Sequence, residues 1–244
     1  MVALSPLPHK EVVQNTRAIK LSRPEVLPAI PVIGYLASEL PIFYAYIGDV
    51  AFNKLVKNFA SDNPEKHQNA NYLKLNLPDY LRDNTTLRHN PEIFELACFE
   101  LAINQAFAAA DTAIINTSKF NAAFQRDPLE ITLQLVESAQ LLQFHQNTTS
   151  LWSALKCDEH PPKPHKLDAP QHVLIWRQRG APRFRILGRE EAKLLSLCAH
   201  KSIRTFSIKK LTEALELDQS TAKITDYLRG WVEAELIAYA EAGF

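Results

Sequence analysis

The hydrophobic period of this chain changes at Leu129, and that change limits the folds open to it. Before it, apolar residues recur at helical spacing. After it, Leu129, Ile131, Leu133 and Leu135 alternate with Glu130, Thr132 and Gln134. A period of two sets one face on a core and the other in water, as in a half-buried strand. A strand needs partners for its backbone donors and acceptors. The nearest candidates are Val173–Arg177 and Arg183–Leu187, joined by Gln178–Pro182 with Gly180 in the turn. The strand is therefore expected in one sheet with that hairpin. The boundary is placed near residue 126, with a helical domain over 1–126 and an α+β domain over 127–244.

The first domain reads as helices separated by proline. Pro6, Pro8, Pro24, Pro28 and Pro31 make the first 31 residues an irregular arm, with room for a short helix over Glu11–Lys20. Pro31 suits the first turn of a helix ending at Leu40. Asp49 is the expected N-cap of a helix carrying Phe52, Leu55, Val56 and Phe59. Residues 61–77 are polar and rich in Asn, which predicts a long loop, with one or two helical turns at Leu77–Asp83. The strongest helix is Pro91–Ala110, apolar around most of its circumference and so expected at the centre of a bundle. Glu92 and Glu95 suit the positive end of its dipole. Glu100 lies on its most apolar stretch and requires a buried partner, an Arg or a backbone N–H. The aromatic group Tyr35, Phe43, Tyr44, Tyr46 and Phe52 reads as core.

After Gly188 three helices are expected, Arg189–His200, Ser207–Leu215 and Ser220–Leu236, then a strand at Ile237–Ala240 returning to the hairpin. Hairpin, three helices and strand resemble a winged helix-turn-helix. The predicted fold class is thus α+β, a helical N-terminal domain plus a winged-helix-like C-terminal domain with a small antiparallel sheet. Asp158–Pro170, with four prolines, reads as an extended loop.

Composition excludes several functions. Lys plus Arg number 27 and Asp plus Glu number 27, so bulk charge does not draw the chain to nucleic acid or anionic membrane. Six scattered glycines build neither a dinucleotide fingerprint nor a P-loop. No apolar run reaches a membrane span, and Met1–Lys20 has no h-region. Cys98, Cys157 and Cys198 read as reduced thiols, giving a cytoplasmic expectation.

Charge is nevertheless uneven. From Gln171 to Lys210 ten basic residues face two acids, a net of +8; from Leu211 to Phe244 the net is −5. The candidate ligand-binding residues are Arg177, Arg179, Arg183 and Arg185 on the hairpin, with Lys209, Lys210, Lys223 and Arg229 on the later helices. A strand edge beside a basic hairpin suits an extended acidic peptide. Duplex DNA is the alternative ligand, but Asp226, Glu233 and Glu235 on the third helix oppose phosphate. A solvated basic surface is the plain reading. Cys157, His160 and His165 are spaced as metal ligands, without a further Cys or His at matching spacing. No nucleophile motif occurs, so no catalytic residue and no cofactor are assigned.

Several segments together carry a resemblance. They are Leu40-Pro-Ile-Phe43 with Ile47-Gly48 and Phe52, Phe94-Glu-Leu-Ala97 with Glu100 and Ala106-Phe107, Leu151-Trp152, Val173-Leu-Ile-Trp-Arg177, and Trp231. From about residue 35 onward the chain resembles a bacterial two-domain family described as DNA-binding, which includes the HvfC- and MbnC-like partner proteins. The resemblance implies a non-enzymatic accessory protein. Its implied partners are an iron-dependent TIM-barrel oxidase and the precursor peptide that this enzyme modifies. An older reading of the family implies a transcription regulator. Residues 1–34 match the family poorly.

Overall fold

In the computed structural model, residues 2–3, 29–62, 70–84, 87, 89–126, 131–198, 205–215 and 220–238 are described. The helices are Ala29–Glu39 (α1), Pro41–Ile47 (α2), Asp49–Ser61 (α3), Ala70–Asp83 (α4), Pro91–Ala108 (α5), Thr117–Arg126 (α6), Thr148–Lys156 (α7), Arg189–Cys198 (α8), Ile208–Leu215 (α9) and Ser220–Glu233 (α10). The strands are Val2–Ala3 (β1), Thr132–Leu135 (β2), Gln140–Gln146 (β3), Lys166–Gln178 (β4), Ala181–Leu187 (β5), Thr205–Ser207 (β6) and Ile237–Ala238 (β7). The chain is α+β and divides into two compact units.

One unit comprises Pro6–Leu101 and His145–Asp168. Its first three helices are nearly continuous, interrupted where the sequence removes a donor or permits an unusual dihedral. Pro41 opens α2 at N1, a position whose N–H has no intrahelical acceptor. Gly48 then separates α2 from α3 at φ +77° and ψ 161°, a region open essentially to glycine. Asp49 is therefore the first residue of α3 and Gly48 its N-cap, a correction to the capping expected of Asp49. Phe43 and Phe52 are fully buried with rings edge to face at 6.1 Å. Glu100 on α5 accepts the Ile42 and Phe43 amides at 2.9 and 2.7 Å. Of the two partners that its apolar surroundings allow, an Arg or a backbone N–H, the second is present, and it supplies α2 with a cap from a distant helix. Glu95 is held differently from the expectation of a dipole role. Buried, it accepts the His145 and Gln146 amides and the Thr148 hydroxyl at 2.7, 3.0 and 2.6 Å.

The other unit comprises Met1–Ser5, Ala102–Phe144 and Ala169–Phe244. β4 and β5 form the predicted hairpin, from His172 opposite Leu187 to Gln178 opposite Ala181. Its two-residue turn, Arg179 and Gly180, has φ of +50° and +75°, the left-handed pair that matches strand twist. The sheet order is β1-β5-β4-β3. A second antiparallel sheet has the order β6-β2-β7, with Leu133 opposite Phe206 and Leu135 opposite Ile237. A core containing Leu133, Leu135, Trp176, Leu194, Phe206, Leu228 and Trp231 joins these sheets to α8, α9 and α10.

Four expectations are corrected. The strand read at Leu129–Leu135 does not join the hairpin, because β2 pairs with β6 and β7 instead; Leu129 and Glu130 lie outside the described residues. Alternation specifies which face is buried, as Leu133 and Leu135 are, but not which strand lies alongside. For the same reason β7 returns to β2 and not to the hairpin. The loop expected over 61–77 contains the first half of α4, whose apolar Leu77 and Leu81 are buried one turn apart. The loop expected to Pro170 gives way to β4 at Lys166. The helix expected at Glu11–Lys20 lies outside the described residues.

Gly48→Ala isolates the backbone term, since a Cβ built there meets no atom within 4 Å. Chemical denaturation should show a loss of about 1–3 kcal/mol from the dihedral alone.

Candidate functional site

The carboxylate of Glu191 on α8 collects polar side chains from two other elements of the second unit. It lies in the first turn of α8, where the dipole favours an anion. Arg185 of β5 grips both its oxygens, one at 2.8 Å, and the Trp231 indole N–H of α10 donates to it at 2.8 Å. Burial pushes the Glu191 pKa up, but the Arg185 and Trp231 hydrogen bonds outweigh burial and hold it below the ordinary glutamate value. Next to it, Glu190 forms an ion pair with Lys223 of α10. Two candidate cations, Arg185 and Lys223, are thus directed at carboxylates of α8.

The remaining candidates divide by environment. Arg177 is only 17% exposed and closes the carbonyl end of α5, donating to Phe107 O at 2.8 Å, Ala110 O at 3.2 Å and Asp111 at 2.7 Å. Arg179 is 83% exposed; its amide donates to Glu235 at 2.9 Å. Arg177 and Arg179 line one small cleft of about 160 Å³ with Asp111, Ser138 and Glu235. Arg183 has an enclosed Nε with no hydrogen-bond acceptor among the described residues. Arg229 lies 3.9 Å from Asp226, one turn away on α10. Lys209 is exposed on α9, and the side chain of Lys210 lies outside the described residues.

A larger feature went unread in the sequence. An open cavity of about 490 Å³ is lined by Leu141 and Leu142 of β3, His172 of β4, and Arg189, Lys193 and Ser196 of α8. β3 is the terminal strand in its sheet order. Arg189, Lys193 and Ser196 recur at helical spacing along one face of α8, and that i, i+4 basic pair was the available signal. The groove remained hidden because nothing in the pattern marked Gln140–Gln146 as a strand.

Glu95 and Glu100 are used up by backbone amides. Asn147 holds the proline loop through Lys163 O and the His165 amide, both at 3.0 Å, leaving Cys157, His160 and His165 exposed. Among the described residues, no three His, Cys, Asp or Glu side chains are grouped to hold a metal ion, and no helix is long and apolar enough to cross a membrane. No protein-family model matches the chain, and no curated protein matches it.

Two outcomes follow from this geometry. Burial raises the Glu100 pKa to about 7 against the lowering effect of the Ile42 and Phe43 amides and Lys156. A folded pKa above the unfolded one means the native state holds the proton longer. The stability from this group is complete below the unfolded glutamate value, declines as pH rises, and is gone above about 7. Glu100→Gln should flatten that decline in denaturation midpoints measured from pH 4.5 to 7.5. In parallel, Arg177→Ala should cost about 1.5–3 kcal/mol by removing charged hydrogen bonds, while Arg179→Ala should stay within about 0.5 kcal/mol.

Proposed function

We propose that the chain is a non-enzymatic recognition protein that assists a peptide-modifying enzyme by holding its precursor peptide. The observation that carries this reading is the groove between β3 and α8. Leucine side chains line it for apolar contact, while Arg189 and Lys193 supply positive charge for an acidic segment. A terminal strand beside such a groove suits an extended peptide, because main-chain hydrogen bonds supply affinity and flanking side chains supply selectivity. Holding a peptide close to an enzyme raises its effective concentration there without new chemistry in this chain. The resemblance supplies the partner class, an iron-dependent oxidase of the TIM-barrel type. Cys98, Cys157 and Cys198, read as reduced thiols, support a cytoplasmic setting.

The transcription-regulator reading has less support. Lys223 of α10 is engaged with Glu190, and Arg229 faces Asp226 on its own helix. Phosphate binding would compete with carboxylates already in place. Of the hairpin cations, Arg177 and Arg185 are held internally, and Arg179, although 83% exposed, stands 3.8 Å from Glu235, so electrostatic steering falls chiefly to the groove.

The test is a titration at low and physiological salt with two ligands. One is the short Cys-rich peptide encoded beside a neighbouring oxidase, and the other is a set of duplex genomic fragments. Binding of the peptide, weakened at least tenfold by Arg189→Glu with Lys193→Glu, is the expected result. Sequence-selective duplex binding that depends on Lys209, Lys223 or Arg229 would replace this reading with the regulator.

A further inference from the structure

The first sheet closes one of its edges with the chain's own beginning. β1 pairs antiparallel with β5, Val2 opposite Phe184 and Ala3 opposite Arg183. Among the described residues, β1 covers two positions of the seven-residue β5. The outer edge of a strand carries N–H and C=O groups ready to pair with any extended chain.

Arg183 adds a second, independent observation. Its Nε is enclosed and has no acceptor among the described residues. An enclosed donor without an acceptor carries a desolvation cost that a carboxylate would remove, and a guanidinium matches a carboxylate in shape as well as charge. Arg185 lies two residues on, hence on the same face of β5, and Glu191 already satisfies it. The residue directly opposite Arg183 is Ala3, and alanine has no side-chain acceptor to offer.

We propose that the outer edge of β5 is a strand-accepting site for an extended partner segment carrying Asp or Glu opposite Arg183, and that Val2–Ala3 fill this edge until such a segment displaces them. Among the described residues, β1 supplies backbone pairing while the Arg183 Nε has no acceptor, so β1 acts as a weak placeholder. An acidic partner makes both sets of interactions, and cross-strand pairs of opposite charge add to ladder stability. This site lies on β5 and does not rest on the β3 groove or on the identity of any partner enzyme.

Amide hydrogen exchange followed by NMR on full-length variants tests it. Successive residues of a strand point their N–H groups to opposite sides, so one of the Arg183 and Phe184 amides faces β1. Ala3→Pro removes a backbone donor and should speed exchange at that amide at least threefold. Ala3→Glu should slow it about two- to fivefold, and Ala3→Lys should not. Adding the synthetic Met1–Ser5 peptide to the Ala3→Pro protein should restore protection, at lower concentration when the peptide itself carries Ala3→Glu. Exchange at both amides unaffected by Ala3→Pro would overturn the occupied edge. Equal protection by Ala3→Glu and Ala3→Lys would overturn the acidic preference. Either failure leaves the peptide titration at the groove free to succeed.

Discussion

The carboxylate of Glu191 is the point on which the second unit depends. A charge taken out of water is tolerated only with its hydrogen-bonding capacity met. Here a guanidinium from the hairpin and an indole N–H from α10 meet it, so one side chain of α8 fixes a strand and a helix that are 46 residues apart in sequence, Arg185 to Trp231. Trp231 in turn packs edge to face with Phe206 of β6, and Trp176 of β4 donates its indole N–H to Ala234 O at 2.8 Å. The two sheets and three helices therefore share one core, with a few directed bonds that allow one arrangement among the many that apolar contact alone permits.

The same bonds change the meaning of the uneven charge. A stretch of +8 followed by one of −5 looks in sequence like a binding face followed by its opposite. Folding pairs them across: Arg179 with Glu235, and Lys223 with Glu190. Within the basic stretch, Arg185 is matched by Glu191. Much of the apparent ligand-binding charge thus maintains the fold. Arg189 and Lys193, which no motif marked, line the larger cavity beside β3.

What could be read from residue order was local. Helical spacing located α5, and the apolar surroundings of Glu100 required a buried partner, an Arg or a backbone N–H, of which it has the second. Gly180 marked the hairpin turn, and the three late helices follow their spacing. Strand partnership was not legible, because the β2 pattern of buried Leu133 and Leu135 is satisfied equally by the hairpin or by β6 and β7. The start of α4 was hidden by its polar, Asn-containing sequence. Glu95 looked like a dipole partner because its acceptors' donors, His145, Gln146 and Thr148, lie some 50 residues away. Among the candidate site residues, composition identified the cations but gave no means of telling a guanidinium held by Glu191 from one available to a partner.

A double-mutant cycle on Arg185→Met and Glu191→Leu bears most directly on whether the hairpin cations build the fold. The coupling free energy from denaturation should be about 1.5–3 kcal/mol, that of a hydrogen-bonded pair with charged members. A coupling below about 0.5 kcal/mol would show two independent side chains and return Arg185 to the pool of charges available for a ligand.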